Sequence, residues 1–281
     1  YCFIGGVIWD CAMQFDEEFF GSPEKIALMR RSASLWLLLR ESPRYAYYGR
    51  LVALSDPASD TSDILANLAK LQGASVCYYF PKAEVAELFA DLENRGFSTD
   101  RHEHYWGGET AFRASKSILA KYRMPEDLCI SVLNAETPQS LIAATAKLCE
   151  SCEVMPVPGA IMRGKVLRGV NLVATDEAGA PVASASSFFI HHATSFRATD
   201  VFWGALATRE DRRGEKIALL LGAKAIVHMW ENEGARGFIT GVRANNSSSQ
   251  ALCNKLGVGD SEWVYASCLN PELLSSSSIT K

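Results

Sequence analysis

The 281-residue chain contains no run of about 18 uninterrupted apolar residues, the length a membrane-spanning helix needs, and no membrane partner is expected. Its apolar opening, YCFIGGVIW at residues 1–9, lacks a basic n-region and a small-residue cleavage site. It therefore reads as a buried strand rather than a signal peptide. An excess of one charge is also missing. Twenty-eight basic and thirty-two acidic residues give a net charge of −4, so nucleic acid is not expected as the main partner. A disulfide framework is missing too. The eight cysteines are scattered at Cys2, Cys11, Cys77, Cys129, Cys149, Cys152, Cys253 and Cys268, mostly in apolar surroundings that suit a reducing, cytoplasmic setting. Cys149 and Cys152 form a CxxC, but no second pair completes the four ligands of a zinc site. They read as packing thiols, and no metal is expected. Low-complexity sequence is confined to the serine-rich tail after Leu274, which is expected to fray.

What remains is ordinary globular composition, 48% apolar and 21% charged, in a length that fits one large domain or two modest ones. Apolar periodicity predicts a helix over 24–40, a strand over 47–55 and a helix over 64–72 capped by Asp60 or Ser62 and closed by Gly73. It then predicts a strand over 74–80, a helix opened by Pro81 and closed by Gly96, a strand over 102–106, and a helix and linker around 114–127. A second alternating unit follows. It has a strand over 127–134, a helix over 137–152, a loop over 157–164 and a hairpin over 169–192 turning at Asp176–Gly179. Next come a strand over 200–208, a helix over 214–234, a strand over 236–242, a short helix over 245–257 and a last strand over 261–269. The fold class is α/β, layered, with a mixed and mostly antiparallel central sheet flanked by helices. Trp203, Trp230 and Trp263 are expected in the core.

The segment richest in chemistry is ATREDRRGEKIALLLG, Ala207 to Gly222. A strand ends there, a loop carries Arg209, Arg212, Arg213 and Gly214, and a long helix begins. A helix start exposes about four unpaired N–H groups at the positive end of the dipole. Glycine allows phosphate to approach, and guanidinium groups bind it by charge-assisted bonds. The segment is an anion cradle. One strand later the chain reads ANNSSSQALCNKLGV, an Asn-initiated short helix ending in Lys255-Leu256-Gly257-Val258.

These two motifs, in this order, resemble the GNAT acetyltransferase family over roughly residues 126–270. That family has an Arg/Gln-x-x-Gly-x-Gly/Ala pyrophosphate loop and a later Asn-initiated helix ending in a Lys-Leu-Gly-Phe-like sequence. The resemblance implies a GNAT-like fold and acetyl-CoA as the acyl-CoA co-substrate. It places the cofactor on Ala207, Thr208, Arg212, Arg213, Gly214, Glu215, Lys216, Ile217 and Ala218, with Asn246 and Ser249 from the second motif. Three departures stand out. Lys216 occupies the loop's usual first glycine, Cys253 a position where many members carry a tyrosine acid, and Val258 the usual phenylalanine.

The resemblance also implies direct attack of an amine on the thioester. A base must take the amine's proton, and backbone N–H groups at the strand end Leu206–Thr208 would stabilise charge on the thioester oxygen. Leu206 is the candidate for that contact and Cys253 the candidate acid, with a merely buried thiol as the alternative. His191, His192, Asp200 and Glu210 are candidates for the base, with one of the two histidines facing the sheet and the other turned away.

Residues 60–106 repeat the helix–strand–helix–strand order, with Arg95-Gly96-Phe97 echoing the family's ending. The arginine loop's counterpart, SDPASDTSD, is acidic and would repel phosphate. Residues 1–125 are therefore expected to form either a degenerate GNAT-like partner domain or an unrelated α/β cap, with 126–281 as the acetyltransferase domain. The expected function is acyl transfer from acetyl-CoA to an amine of a small molecule or peptide. The alternatives are a non-catalytic acyl-CoA-binding module and an interaction protein that has lost CoA. The acceptor is expected to be held by variable loops such as 151–164 and the segment before Asp200. Its identity and the oligomeric state are left open.

Overall fold

The computed structural model describes residues 18–275. The strand expected over 1–9, Cys2, Cys11 and the tail from Ser276 lie outside the described residues.

Helix α1 spans Pro23–Leu39, with Ser22 as N-cap and proline at its first turn. Strands β1 (Tyr45–Tyr47) and β2 (Val52–Leu54) follow as an antiparallel hairpin, where the sequence suggested a single strand. The interruption is at Gly49, whose φ of +88° suits glycine alone. A Cβ there would also meet Ile161 at 2.4 Å. Helix α2 (Thr61–Gln72) ends at Gly73 in the left-handed region, as expected. Neither expected cap operates, because the Asp60 carboxylate is taken by Arg44 and the Ser62 hydroxyl by Asp91.

Strand β3 (Ala74–Pro81) and helix α3 (Val85–Asn94) come next, so Pro81 ends a strand rather than opening a helix. Strand β4 (Ser98–Gly107), helix α4 (Glu109–Lys121), strand β5 (Cys129–Val132) and helix α5 (Gln139–Ser151) follow. Within the expected loop over 157–164, Gly159–Met162 form a buried helical turn, α6. Hairpin strands β6 (Gly169–Thr175) and β7 (Pro181–Phe189) lead to β8 (Asp200–Thr208) and helix α7 (Ile217–His228). Strand β9 (Gly237–Val242), helix α8 (Ser247–Lys255) and strand β10 (Gly259–Leu269) complete the order.

Among the described residues, ten strands form one sheet in the order β1-β2-β3-β10-β4-β9-β8-β7-β6-β5. The pairings β2–β3 and β8–β9 are parallel and the others antiparallel. This is the mixed, mostly antiparallel α/β sheet that the sequence implies. The two sequence halves interleave: β10, last in the chain, lies between β3 and β4, and β4 lies against β9.

Both sheet faces are covered. On one, α7 packs on β8 through Trp203, whose indole N–H donates to the Gly222 carbonyl at 3.1 Å. On the other, Phe202, Phe188 and Ile239 join Tyr47, Tyr78 and residues of α1 and α5 in a core that crosses the two halves. Trp203 is fully buried, and Trp230 and Trp263 are partly buried against these cores.

Candidate active site

The site begins where the sheet splits. Strands β8 and β9 run parallel only from Asp200–Gly237 to Phe202–Ile239. Beyond that pair they part, while β9 continues along β4 to Val242. Strand β8 also carries an extra residue against β7, between the pairs Ser186–Gly204 and Ser184–Ala207. Ala205 there takes a φ of +49°, a bulge that bends the strand and turns its edge into the gap. A cleft of about 400 Å³ opens between the strands, lined on the β8 side by Gly204, Ala205, Leu206 and Thr208.

At the far end of β8 lies the arginine loop. Gly214 has a φ of +89° and Lys216 one of +64°, so Lys216 takes a left-handed backbone that ordinarily favours glycine. Its ammonium lies 5.2 Å from the Tyr122 ring. Helix α7 then starts with no side chain capping its first turn, leaving those N–H groups and the positive dipole end open to an anion.

The three arginines are used differently. Arg209 pairs with Asp176 and Asp211, and Arg212 with Asp127 and Glu215, each at 2.7–2.9 Å. Arg213 lines the cleft, and its contact is the Thr208 carbonyl at 3.4 Å from Nε. The loop thus presents one guanidinium to a ligand and holds its own shape with the other two.

Among the residues expected to hold acyl-CoA, Thr208, Arg213, Ala218, Asn246 and Ser249 line this one cleft. Leu206 and Cys253, the catalytic candidates, line it too. The Thr208 hydroxyl is buried without a partner. Asn246 caps α8 through its Oδ1, which accepts from the Ser249 N–H at 3.1 Å. Ala207 points away, packed with Leu148 and Cys149, and Ile217 is buried in the α7 core. Glu215 is turned to Arg212. Arg212, Gly214, Glu215 and Lys216 do not line the cleft.

Cys253 is buried, and desolvation pushes its thiol up to about 12. Such a group surrenders its proton poorly near neutral pH, so the buried-thiol alternative describes it better than the acid. None of the base candidates lines the cleft. His191 is buried with Nδ1 2.8 Å from the Ser55 hydroxyl, and burial brings it down to about 3. His192 faces outward beside Thr194, so the two alternate as expected. Asp200 sits at the start of β8 and accepts from the Tyr79 hydroxyl at 2.5 Å, and Glu210 is exposed. The CxxC thiols are free; Cys149 lies 3.5 Å from the Ser184 hydroxyl and Cys152 donates to the Thr208 carbonyl at 3.3 Å.

The sequence reading did not single out the residues on the cleft's other wall. Tyr48 and Arg50 come from the β1–β2 turn, Tyr78 from β3, His102 from β4 and Tyr265 from β10. Tyr265 stands opposite His102 in the β10–β4 pairing, and its ring covers Gly241, where a Cβ would fall 2.6 Å away. His102 Nδ1 is 3.8 Å from the Asp100 carboxylate, which a bidentate pair with Arg243 holds at 2.9 and 3.1 Å. Burial keeps the Tyr78 and Tyr265 phenols well above their usual range, so both remain hydroxyls. No carboxylate lines the cleft among the described residues.

No protein-family model matches the sequence, and no curated protein matches it. Solved structures do match in shape. A GCN5-related N-acetyltransferase from Kribbella flavida superposes with a TM-score of 0.55 at 13% identity, over 88% of this chain and 96% of that one. A tandem GNAT protein from the clavulanic acid biosynthesis pathway gives 0.52 at 13%, over 78% and 74%. A Drosophila protein solved by a structural genomics consortium gives 0.51 at 17%, over 78% and 70%. Among the described residues no helix is long and apolar enough to cross a membrane. With β8 and β9 splayed at a bulge, an uncapped helix start behind them and these structures superposing on 78–88% of the chain, the protein has the fold of the GNAT acetyltransferases.

Proposed function

We propose that this protein is an acyl-CoA-dependent N-acyltransferase that moves an acyl group, acetyl in the simplest case, onto an amine. The observation that carries the reading is the bulged, splayed edge of β8 running straight into the uncapped start of α7. A thioester laid along Gly204–Leu206 has backbone for its oxygen, and a pyrophosphate at the other end of the same ligand meets the α7 N–H groups and Arg213. The Leu206 N–H is proposed for the thioester oxygen. The backbone of Thr208 and of Gly214–Ala218 is proposed for the phosphates, with Asn246 and Ser249 flanking the pantetheine.

The acceptor enters from the wall made by Tyr48, Tyr78, His102 and Tyr265. His102, oriented by Asp100, is proposed to take the amine's proton as the nitrogen–acyl bond forms and the carbon–sulfur bond breaks. The departing sulfur takes its proton from solvent, since Cys253 holds its own too tightly. Residues 18–125 are proposed as a GNAT-like partner that has lost its phosphate loop. Asp56, Asp60 and Asp63 occupy the matching stretch and pair with Arg197, Arg44 and Arg95, an arrangement that leaves nothing for an anion.

Calorimetric titration of acetyl-CoA into the native chain and into Arg213→Ala tests the reading. Binding by the native chain that weakens about 10- to 100-fold in Arg213→Ala supports it, because a charge-assisted bond contributes about 1.5–3 kcal/mol. Absence of binding to the native chain sinks it. A second reading, an acyl-CoA-binding module without turnover, is favoured by the high Cys253 thiol alone. Release of CoA thiol in the presence of amines separates the two.

A further inference from the structure

Arg50 is a charged cleft group to which the acyl-CoA reading gives no task. It is 4% exposed, lines the cleft, and has no carboxylate partner among the described residues. Its Nε and one terminal nitrogen are buried without a hydrogen-bond acceptor. The Tyr48 hydroxyl accepts a hydrogen bond from Arg50, and the rings of Tyr48 at 5.3 Å and Phe202 at 5.9 Å flank the guanidinium. Other arginines of the chain, Arg44, Arg95, Arg163, Arg197, Arg209 and Arg212 among them, are matched to carboxylates. A buried guanidinium with unmet donors costs free energy unless an anion arrives to pair with it.

The anion is not the pyrophosphate. Arg50 lies beside Phe202, and the phosphate loop begins after Thr208, six residues and roughly 20 Å further along β8. Two hydroxyls accompany Arg50 on the same wall. Those of Tyr78 and Tyr265 are buried without partners, their rings 4.8 Å apart, and Tyr78 is 6.0 Å from Tyr48. A fork of N–H donors and two O–H donors lining one cleft that has no carboxylate of its own among the described residues match a carboxylate. Tyr265 also stands opposite His102, so an anion held here leaves a neighbouring amine within reach of the proposed base.

We propose, resting on the acyltransferase reading, that the acceptor is an amine bearing a carboxylate, an amino acid in kind, with Arg50 binding that carboxylate and Tyr78 and Tyr265 donating to it. The amine nitrogen bonds to the acyl carbon, the carbon–sulfur bond breaks, the amine proton leaves to His102, and the carboxylate is unchanged. The products are an N-acyl amino acid and CoA thiol.

The test pairs each acceptor with its uncharged twin. Thiol release from acetyl-CoA is measured with glycine, alanine, leucine and phenylalanine and with the four amino-acid amides, for the native chain, Arg50→Gln and Arg50→Lys. Native enzyme is expected to favour an acid over its amide by about 10- to 100-fold in kcat/KM. Arg50→Gln levels that preference, Arg50→Lys restores part of it, and acetyl-CoA affinity by calorimetry is unchanged in both. Equal use of acids and amides by the native chain overturns the proposal, as does a preference that survives in Arg50→Gln. Loss of acetyl-CoA affinity in Arg50→Gln also overturns it, by assigning Arg50 to the cofactor. A succinyl-CoA arm distinguishes the other source of a carboxylate. If the native chain prefers succinyl-CoA to acetyl-CoA and Arg50→Gln does not, the carboxylate belongs to the acyl group and the acceptor assignment is wrong.

Carboxylate binding is also read without turnover, by thermal unfolding with the N-acetyl derivatives of the same amino acids and their amides. Stabilisation by the acids alone, lost in Arg50→Gln, upholds the anion site even where acetyl-CoA fails to bind and the acyltransferase reading falls. No stabilisation by any acid, together with no thiol release, overturns both.

Discussion

At the residue scale, Lys216 shows how a departure from a motif is absorbed. The loop needs a left-handed backbone at this point, and the chain adopts it with a lysine at φ +64°. A side chain in that region costs about 1–2 kcal/mol. Lys216→Gly relieves that strain while loosening the unfolded chain and removing the contact with Tyr122. The melting temperature is therefore expected to stay level or rise, and acetyl-CoA affinity to persist, because the phosphate contacts are proposed for the backbone. A clear fall in melting temperature would show the lysine to be supporting the loop. His102 yields a sharper prediction. His102→Gln is expected to lower kcat by about 100-fold or more while leaving the calorimetric affinity for acetyl-CoA intact. An unchanged kcat would remove His102 from the mechanism. Neither this histidine nor Arg50 was legible in the sequence. His102 belongs to a polar-looking strand, STDRHEHYW, and Arg50 to a turn, and only the pairing of distant strands brings them to one wall.

At the element scale, what was legible is what short range determines. The β8–loop–α7 unit and the Asn-capped α8 are local, and Thr208, Arg213, Ala218, Asn246 and Ser249 from them line one cleft. Errors fell where a distant partner decides the local shape. The single strand expected over 47–55 is a hairpin because Gly49 must turn beneath Ile161, and Asp60 gives up its cap to Arg44. The opposite case is Gly222, inside a helix where glycine is ordinarily unfavourable. A Cβ there would stand 2.9 Å from the fully buried Trp203 ring, which itself bonds the Gly222 carbonyl. The glycine sets how closely α7 lies on β8, and so where the uncapped helix start falls relative to the cleft. Gly222→Val is expected to lower stability by about 1–3 kcal/mol through overpacking, and to weaken acetyl-CoA binding as α7 shifts. Denaturant unfolding and calorimetry on the same preparation check both, and a variant with native stability would show that α7 has room to spare.

At the scale of the whole molecule, the two sequence halves are one sheet, and two of its buried histidines tie them together. Tyr79 of β3 packs against His191, which follows β7, and His104 of β4 packs against Trp263 and Tyr265 of β10. Burial lowers both histidines from about 6.5 to about 3. The unfolded chain therefore takes up protons that the folded chain refuses as pH falls below 6.5, and stability declines from there toward pH 3. The slope approaches about 1.4 kcal/mol per pH unit for each histidine, and none of this loss is present above pH 6.5. Replacing both with glutamine is expected to flatten urea-unfolding stability between pH 6.5 and 4. The interleaving has a larger consequence. Strand β10 supplies the partner for both β3 and β4, along Ala74–Pro81 on one side and Ser98–Trp106 on the other. Without it, each of those strands loses a ladder and exposes a long edge that invites aggregation. The C-terminal half is equally incomplete, since β9 loses its ladder with β4 and the cleft loses Tyr48, Arg50, Tyr78 and His102. Residues 1–125 and 126–281 expressed separately are expected to be insoluble or unfolded, and co-expression is expected to recover a folded pair that binds acetyl-CoA. Independent cooperative unfolding of either half would mean that each completes a core of its own, and that the shared sheet joins two finished domains rather than making one.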